Sequence, residues 1–298
     1  MSLRQTVARS LPYRIARPAV RALRARLNGP SATSAPAAPP KPVYFPRTLA
    51  LPEDTPEQRA IVEEVKQHSW YHTIDLGQGI RTPGRFDHIP PLHHYPMPLD
   101  LTGKRCLDVA TFDGFWAFEM ERRGAAEVVA LDIDSWLDLD VPPYILEDFK
   151  RRGVTTKTGV GFEIAHKVRN SKVDRRICNV YDLSPEKFGE FDFVFCSDVL
   201  VHITNPIRAL ENICAVTKGE AVFVEGYAPG SAGMGPWITL LAQLDNSAWW
   251  MFGRDFLSKA ALAAGFARVE ASPDIDVRQR ATPDAPMQRL MLRAINNR

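Results

Sequence analysis

Between Cys106 and Asp134 the chain reads CLDVATFDGFWAFEMERRGAAEVVALDID: an apolar run, a turn, a helix-length stretch, a second apolar run and a group of acids. The same alternation continues downstream. Strands are predicted at 105–110, 127–132, 175–180, 191–196 and 219–225, and helices at 114–123, 142–151, 205–215 and 254–264. Strand–helix alternation implies a parallel sheet with helices on both faces, an α/β fold. After Gly265 the predicted strands 266–272 and 287–294 follow with no helix between them, which implies an antiparallel end to the sheet.

The first strand ends in Asp108, the turn runs from Ala110 to Gly114, and Phe115 opens a helix whose first amides face the carboxyl edge of the sheet. Asp132 closes the second strand about 20 residues on, the spacing of an acid that takes both ribose hydroxyls. The dinucleotide fingerprint is missing: where close approach of a pyrophosphate needs glycines, this turn has Ala110, Phe112 and Gly114. Phe112 obstructs a pyrophosphate but not a nucleoside that bears an amino acid. The residues therefore point away from a nicotinamide dinucleotide and toward S-adenosylmethionine. At the third strand, Asn179 or Asp182 is placed to meet an adenine amine, with Val180 and Tyr181 beside the ring.

LDVATFDGFWAFEMERRGAAEVVALDID, YDLSPEKFGEFDFVFCSDVLVHITNP and WYHTIDLGQGIRTPG together resemble the class I S-adenosylmethionine-dependent methyltransferases. Within them they resemble the branch of the tRNA wobble-uridine (carboxy)methyltransferases and their relatives, over roughly residues 66–272. The resemblance implies a Rossmann-like seven-stranded sheet with the last strand inserted antiparallel. It implies that Ala110, Asp113 and Gly114 hold the methionine part, Asp132 the ribose, Asn179, Val180 and Tyr181 the adenine, and that Asp108, Thr111 and Ser197 are also cofactor-binding. Two residues depart from the branch. Ala110 replaces a glycine, and its methyl crowds the aminocarboxypropyl chain. Val201 replaces the tyrosine with which the wobble-uridine enzymes hold a carboxylated cofactor. Plain methyl transfer to an oxygen or nitrogen of a small molecule or sugar-containing metabolite is expected. A tRNA substrate, or a non-catalytic cofactor-binding partner protein, is the alternative.

On the acceptor side, His202 in the exit loop of the fourth strand reads either as a general base or as a brace for the next helix. Asp198 reads either as a group adjacent to the acceptor or as a helix-terminus acid. Glu225 lies near the end of the fifth strand. Trp70, His72 and Arg81 sit in an irregular Gly-, Pro- and aromatic-rich segment over 70–95 that is expected to close over the acceptor as a polar lid. Trp249 and Trp250 follow a Gly-rich segment, and 226–252 is expected to form a second lid in which they wall the pocket or pack the lid. The basic side of 133–175 reads as a solvated helix face or a contact for an anionic acceptor. Histidines 88, 93 and 94 are too irregularly spaced for a metal site, and none is expected.

Three divisions are expected: a basic tail and Pro/Ala-rich linker over 1–52, an N-terminal helix and covering loop over 53–100, and the catalytic domain over 101–298. Thr55-Pro56-Glu57-Gln58 has the pattern of a capping box with proline in the first turn, predicting a helix to about His68. Nine of the 37 basic residues lie in 1–52, which hold no acid, so the rest of the chain carries 28 basic against 35 acidic side chains. An acidic body is a poor match to a nucleic acid. The basic arm suits anionic lipid or a protein partner. No run approaches the ~18 apolar residues of a membrane span. The four cysteines lie in or beside apolar runs without metal-ligand spacing, which fits reduced thiols and a cytoplasmic protein.

Overall fold

The computed structural model describes residues 55–153, 157–241, 248–280 and 282–296. The basic tail and linker expected over 1–52 lie outside them. The strands are β1 Asp75–Gly77, β2 Ile80–Arg81, β3 Arg105–Val109, β4 Glu127–Asp132, β5 Asp174–Ile177, β6 Phe191–Ser197, β7 Thr217–Gly226, β8 Ile238–Leu240, β9 Trp250–Phe252, β10 Arg268–Gln279 and β11 Thr282–Ile295. The helices are α1 Pro56–Lys66, α2 Phe115–Arg122, α3 Pro143–Arg151, α4 Val160–Arg169, α5 Pro185–Phe188, α6 Pro206–Val216 and α7 Phe256–Ala263.

Seven strands make one sheet in the order β10-β11-β7-β6-β3-β4-β5. β5, β4, β3, β6 and β7 run parallel, while β11 is antiparallel to both β7 and β10. This is the predicted Rossmann-like sheet, with the last strand inserted antiparallel. The parallel strands read as near-continuous apolar runs because helices cover both faces. Cys106, Leu107, Val194, Phe195, Cys196, Val222 and Phe223 are accordingly buried.

α1 starts where its capping box predicts: the Thr55 hydroxyl accepts from the Gln58 amide, and the Gln58 side chain accepts from the Thr55 amide. β5 is shorter than predicted. The Asn179 side chain accepts from the Tyr181 amide and bends the chain into a 3-10 turn over 180–182. α4 was hidden in the 133–175 excursion, between left-handed residues at Gly159 and Asn170. Basic side chains of the excursion find acids of the same chain, as Lys157 does with Glu163 and Lys167 with Glu64.

The 70–95 segment is not a polar lid. Trp70, Ile74, Leu76, Ile80, Phe86 and Tyr95 are buried in the core on one face of the sheet. The segment folds back on itself: the Thr73 amide donates to Phe86 O and the Phe86 amide to Tyr71 O, both at 2.8 Å. Gly84 permits that approach, since a Cβ there would overlap backbone atoms of His72 and Thr73.

Candidate active site

The sheet register collects the carboxyl ends of five strands at one edge. Val109 pairs with Leu131 and with Cys196, Asp132 with Ile177, and Ser197 with Val224. The turn after β3 crosses this edge in an unusual backbone. Ala110 and Phe112 have φ of 58° and 50°, and Gly114 has 91°. Left-handed backbone costs roughly 1–2 kcal/mol for a residue with a Cβ. Strain of this kind persists where surrounding contacts impose it, often at functional sites. The turn thus keeps a glycine-type path without the glycines.

Those contacts come from three acids. Asp132 Oδ2 accepts from the Phe112 amide and Oδ1 from the Ile133 amide, both at 2.8 Å. Burial pushes its carboxyl up to about 6, against the pull of those amides. Asp108 accepts from the Ala117 amide at 3.1 Å, tying β3 to the first turn of α2, and burial pushes it up to about 7. Asp113 Oδ2 accepts from the Tyr71 and His72 amides at 2.6 and 3.1 Å. The Asp113 carboxylate therefore anchors the N-terminal segment rather than facing a ligand. Gly114 answers to packing too: a Cβ there would meet the Phe118 and Phe162 rings at 2.5 and 2.7 Å.

Asp132 is almost wholly buried at the carboxyl end of β4. A carboxylate accepts about four hydrogen bonds, and two are used. The N-cap of α2, Gly114, has no side chain to offer, and of the amides in the first turn that of Ala117 is taken by Asp108. Val180 is buried beside the edge, and the Cys178 amide donates to Asp132 O, carrying the strand past the acid. Tyr181 is committed elsewhere: its hydroxyl donates to Asp140 at 2.7 Å and accepts from the Asn205 amide at 2.8 Å. Thr111 is buried, and its amide donates to Leu131 O. Donors, acceptors and an apolar wall along this edge suit an adenosine bearing a methionine chain.

Beyond Ser197 the chain turns left-handed again at Asp198, with φ of 53°. The Arg289 Nε donates to Asp198 Oδ1 at 2.6 Å. Glu225 is wholly buried, with Oε1 accepting from the Val199 and Leu200 amides at 2.8 and 2.7 Å. Burial, then the Asp198 charge, pushes the Glu225 carboxyl up to about 8. Burial also raises the hydroxyls of Tyr71 and Tyr95, and the Asp198 charge adds to both. His72 stacks on Phe115 with centroids 5.8 Å apart, and burial holds its imidazole well below the usual range. His88 bonds the Tyr95 hydroxyl through Nδ1 at 2.7 Å, and burial lowers it to about 3.

The structure thus brings Asp198, Glu225 and Arg289 together, with Tyr71 and Tyr95 within reach of their charges. Other predicted residues lie elsewhere. Trp70 is core, its indole donating to Val65 O at 2.9 Å. Arg81 is exposed on the β1–β2 hairpin and pairs with Asp75. His202 ends a short 3-10 turn at 200–202, its amide donating to Val199 O. The Trp249 indole donates to Asp140 O, beyond β4, at 2.6 Å, and the Trp250 indole to Ile203 O in the exit loop at 2.9 Å. Among the described residues no group of three or more His, Cys, Asp or Glu is arranged to hold a metal. A cavity of about 330 Å³ lies against α2, lined by residues such as Ile74, Phe118 and Arg169, and none of residues 110–113 lines it. Arg289 was missed in the sequence, although a signal existed: it interrupts the apolar strand MQRLML, where a charge needs a partner.

Comparison with known proteins agrees with this geometry. A curated ubiquinone biosynthesis O-methyltransferase from Xanthomonas oryzae pv. oryzae is 31% identical over 117 residues, 39% of each chain. A tRNA U34 carboxymethyltransferase from Campylobacter hominis is 28% identical over 130 residues, covering 43% of this chain and 37% of that one. The chain thus spans about two fifths of the length of the curated relatives it matches. The solved N-terminal domain of EvdMO1 shares the fold at 17% identity, with a TM-score of 0.53 over 82% of this chain and 98% of that one. The family described as "Methyltransferase domain" matches residues 85–271, well over half the chain, and the chain belongs to that family.

Proposed function

We propose that the chain transfers a methyl group from S-adenosylmethionine to an oxygen or nitrogen of a small-molecule acceptor. The observation that carries this reading is the left-handed turn at Ala110 and Phe112, held by Asp132 at the carboxyl edge of the sheet. Support comes from the family, from the O-methyltransferase relatives, and from the EvdMO1 domain, which was solved with S-adenosylhomocysteine bound. S-adenosylmethionine supplies a methyl group activated by a sulfonium. Asp132 would accept from the ribose hydroxyls, the turn at Ala110 and Thr111 would hold the methionine chain, and Asn179 and Val180 would flank the adenine. Ser197 and Asp198 would then lie beside the methyl, with Glu225 beneath. Proximity supplies most of the rate effect.

Calorimetric titration with S-adenosylhomocysteine tests this. Wild type is expected to bind in the micromolar range, and Asp132→Asn to bind at least about tenfold more weakly, the loss of ~1.4 kcal/mol or more. A folded wild type that gives no heat of binding overturns the reading.

A second reading, tRNA wobble-uridine modification, draws on the Campylobacter relative. Against it stand Val201, which has no hydroxyl to offer a carboxylated cofactor, and the acidic balance of residues 53–298. Tighter binding of the carboxylated cofactor than of the ordinary one would favour it. We further propose a cytoplasmic setting, on the four free cysteines, and a basic arm over 1–52 that contacts anionic lipid or a protein partner. No helix among the described residues is long and apolar enough to cross a membrane.

A further inference from the structure

We propose that Asp198, Glu225 and Arg289 form a one-proton base site for an acceptor hydroxyl, with Arg289 holding Asp198 ionised and Glu225 carrying the proton. This rests on the methyl-transfer reading and names the acceptor chemistry within it.

Three observations carry it. First, Arg289 reaches the site from β11, where it lies opposite Gly226. Its side chain is 6% exposed and that of Asp198 14%, so the 2.6 Å pair is desolvated and each ion needs the other. Second, Glu225 has no such cation bonded to it. Its Oε1 accepts two amides, while Oε2 is buried with no hydrogen-bond partner. A buried anionic oxygen in that position is costly. A carboxylic acid there has a proton free to donate to a bound group. Third, one guanidinium cannot compensate two neighbouring buried carboxylates, and the one it bonds is the one that ionises. The other groups facing the pair stay uncharged. The Tyr71 and Tyr95 hydroxyls and the Cys196 thiol are all raised by burial, and His88 is neutral. Two carboxyls driven apart in this way supply one base and one acid.

An amine acceptor attacks through a lone pair it already has, whereas a hydroxyl must lose a proton as it attacks. In the proposed step the acceptor oxygen forms a bond to the methyl carbon and its proton passes to Asp198. The electron pair of the methyl–sulfur bond stays with sulfur, leaving neutral S-adenosylhomocysteine and a methyl ether. Glu225 donates a hydrogen bond into the site and keeps its proton. Arg289 acts through Asp198 and is a positioning residue.

Infrared spectroscopy of the full chain at pH 7.5 tests this without an acceptor. Wild type is expected to show a protonated-carboxyl signal, beside the smaller one of Asp108, that Glu225→Gln removes. Arg289→Met is expected to add a second such signal, absent from the Arg289→Met/Asp198→Asn double variant, while Arg289→Lys keeps the wild-type spectrum. Should Arg289→Met fail to fold, Asp198→Asn is expected to move the loss of the Glu225 signal down by about one pH unit, through removal of a like charge. No signal assignable to Glu225, or no response to loss of Arg289 or Asp198, overturns the proposal. S-adenosylhomocysteine titration of wild type runs alongside. Normal titration with the wrong carboxyl signals sinks the proton site alone. Absence of binding by wild type sinks the methyl-transfer reading.

Discussion

Ala110 and Phe112 occupy left-handed backbone that a glycine would take without cost. Ala110→Gly is therefore expected to stabilise the chain by about 1 kcal/mol, the relief of strain less the extra freedom of glycine in the unfolded chain. Urea denaturation reads this, and a destabilised variant would show that the Ala110 methyl contributes more by packing than its backbone costs. Phe112 is different. Its ring meets Tyr71 and Trp136 edge-on at 5.4 and 5.9 Å, so its strain is offset by contact. Asp132 was legible in the sequence because its position follows from strand length alone. The anchoring task of Asp113 was not, because the amides it accepts belong to Tyr71 and His72, about forty residues upstream.

Apart from α4 and α5, the strands and helices of the parallel half were legible to within a few residues, since apolar period and turn residues are local properties. The elements that escaped depend on distant partners. β10 and β11 extend well past the predicted 266–272 and 287–294, because prolines and acids such as Pro273, Asp274 and Pro283 interrupt the apolar pattern there while the two strands pair with each other. The 70–95 segment looked like a cover because histidines, prolines and glycines break its pattern, yet Trp70, Ile74, Leu76, Ile80, Phe86 and Tyr95 all pack in the core. Its fold depends on one close backbone approach. Gly84→Ala is expected to destabilise the chain by about 2–3 kcal/mol, the upper part of the usual range for inserting atoms where none fit. Thermal unfolding checks this, and an unchanged midpoint would mean that the segment moves aside without loss.

Three buried carboxyls give the whole molecule a pH signature. Asp132, Asp108 and Glu225 are raised to about 6, 7 and 8, so the folded chain binds protons that the unfolded chain releases. Stability from such groups is greatest at low pH and is lost as pH rises through the folded values. His72 and His88 act oppositely, but only below about 6.5, where the unfolded histidines take up protons. From pH 6.5 to 8 the carboxyls therefore decide the sign, and Glu225 alone accounts for about 2 kcal/mol of lost stability at ~1.4 kcal/mol per unit. Denaturant midpoints over that range are expected to fall in wild type and to flatten in Glu225→Gln; a rising midpoint would contradict the buried-acid account. The pairing behind the Glu225 shift was not visible in the sequence, because Arg289 enters from a strand that only the sheet order brings beside Asp198.

That sheet order also sets a timetable. β11 follows every other strand in the chain, yet it lies inside the sheet, between β7 and β10. As the chain leaves the ribosome, Asp198 and Glu225 are made long before Arg289, and until β11 docks they are two acids without a counter-ion. The site acquires its charge balance in the same event that closes the sheet, so an incompletely synthesised chain has neither a finished sheet nor a working base.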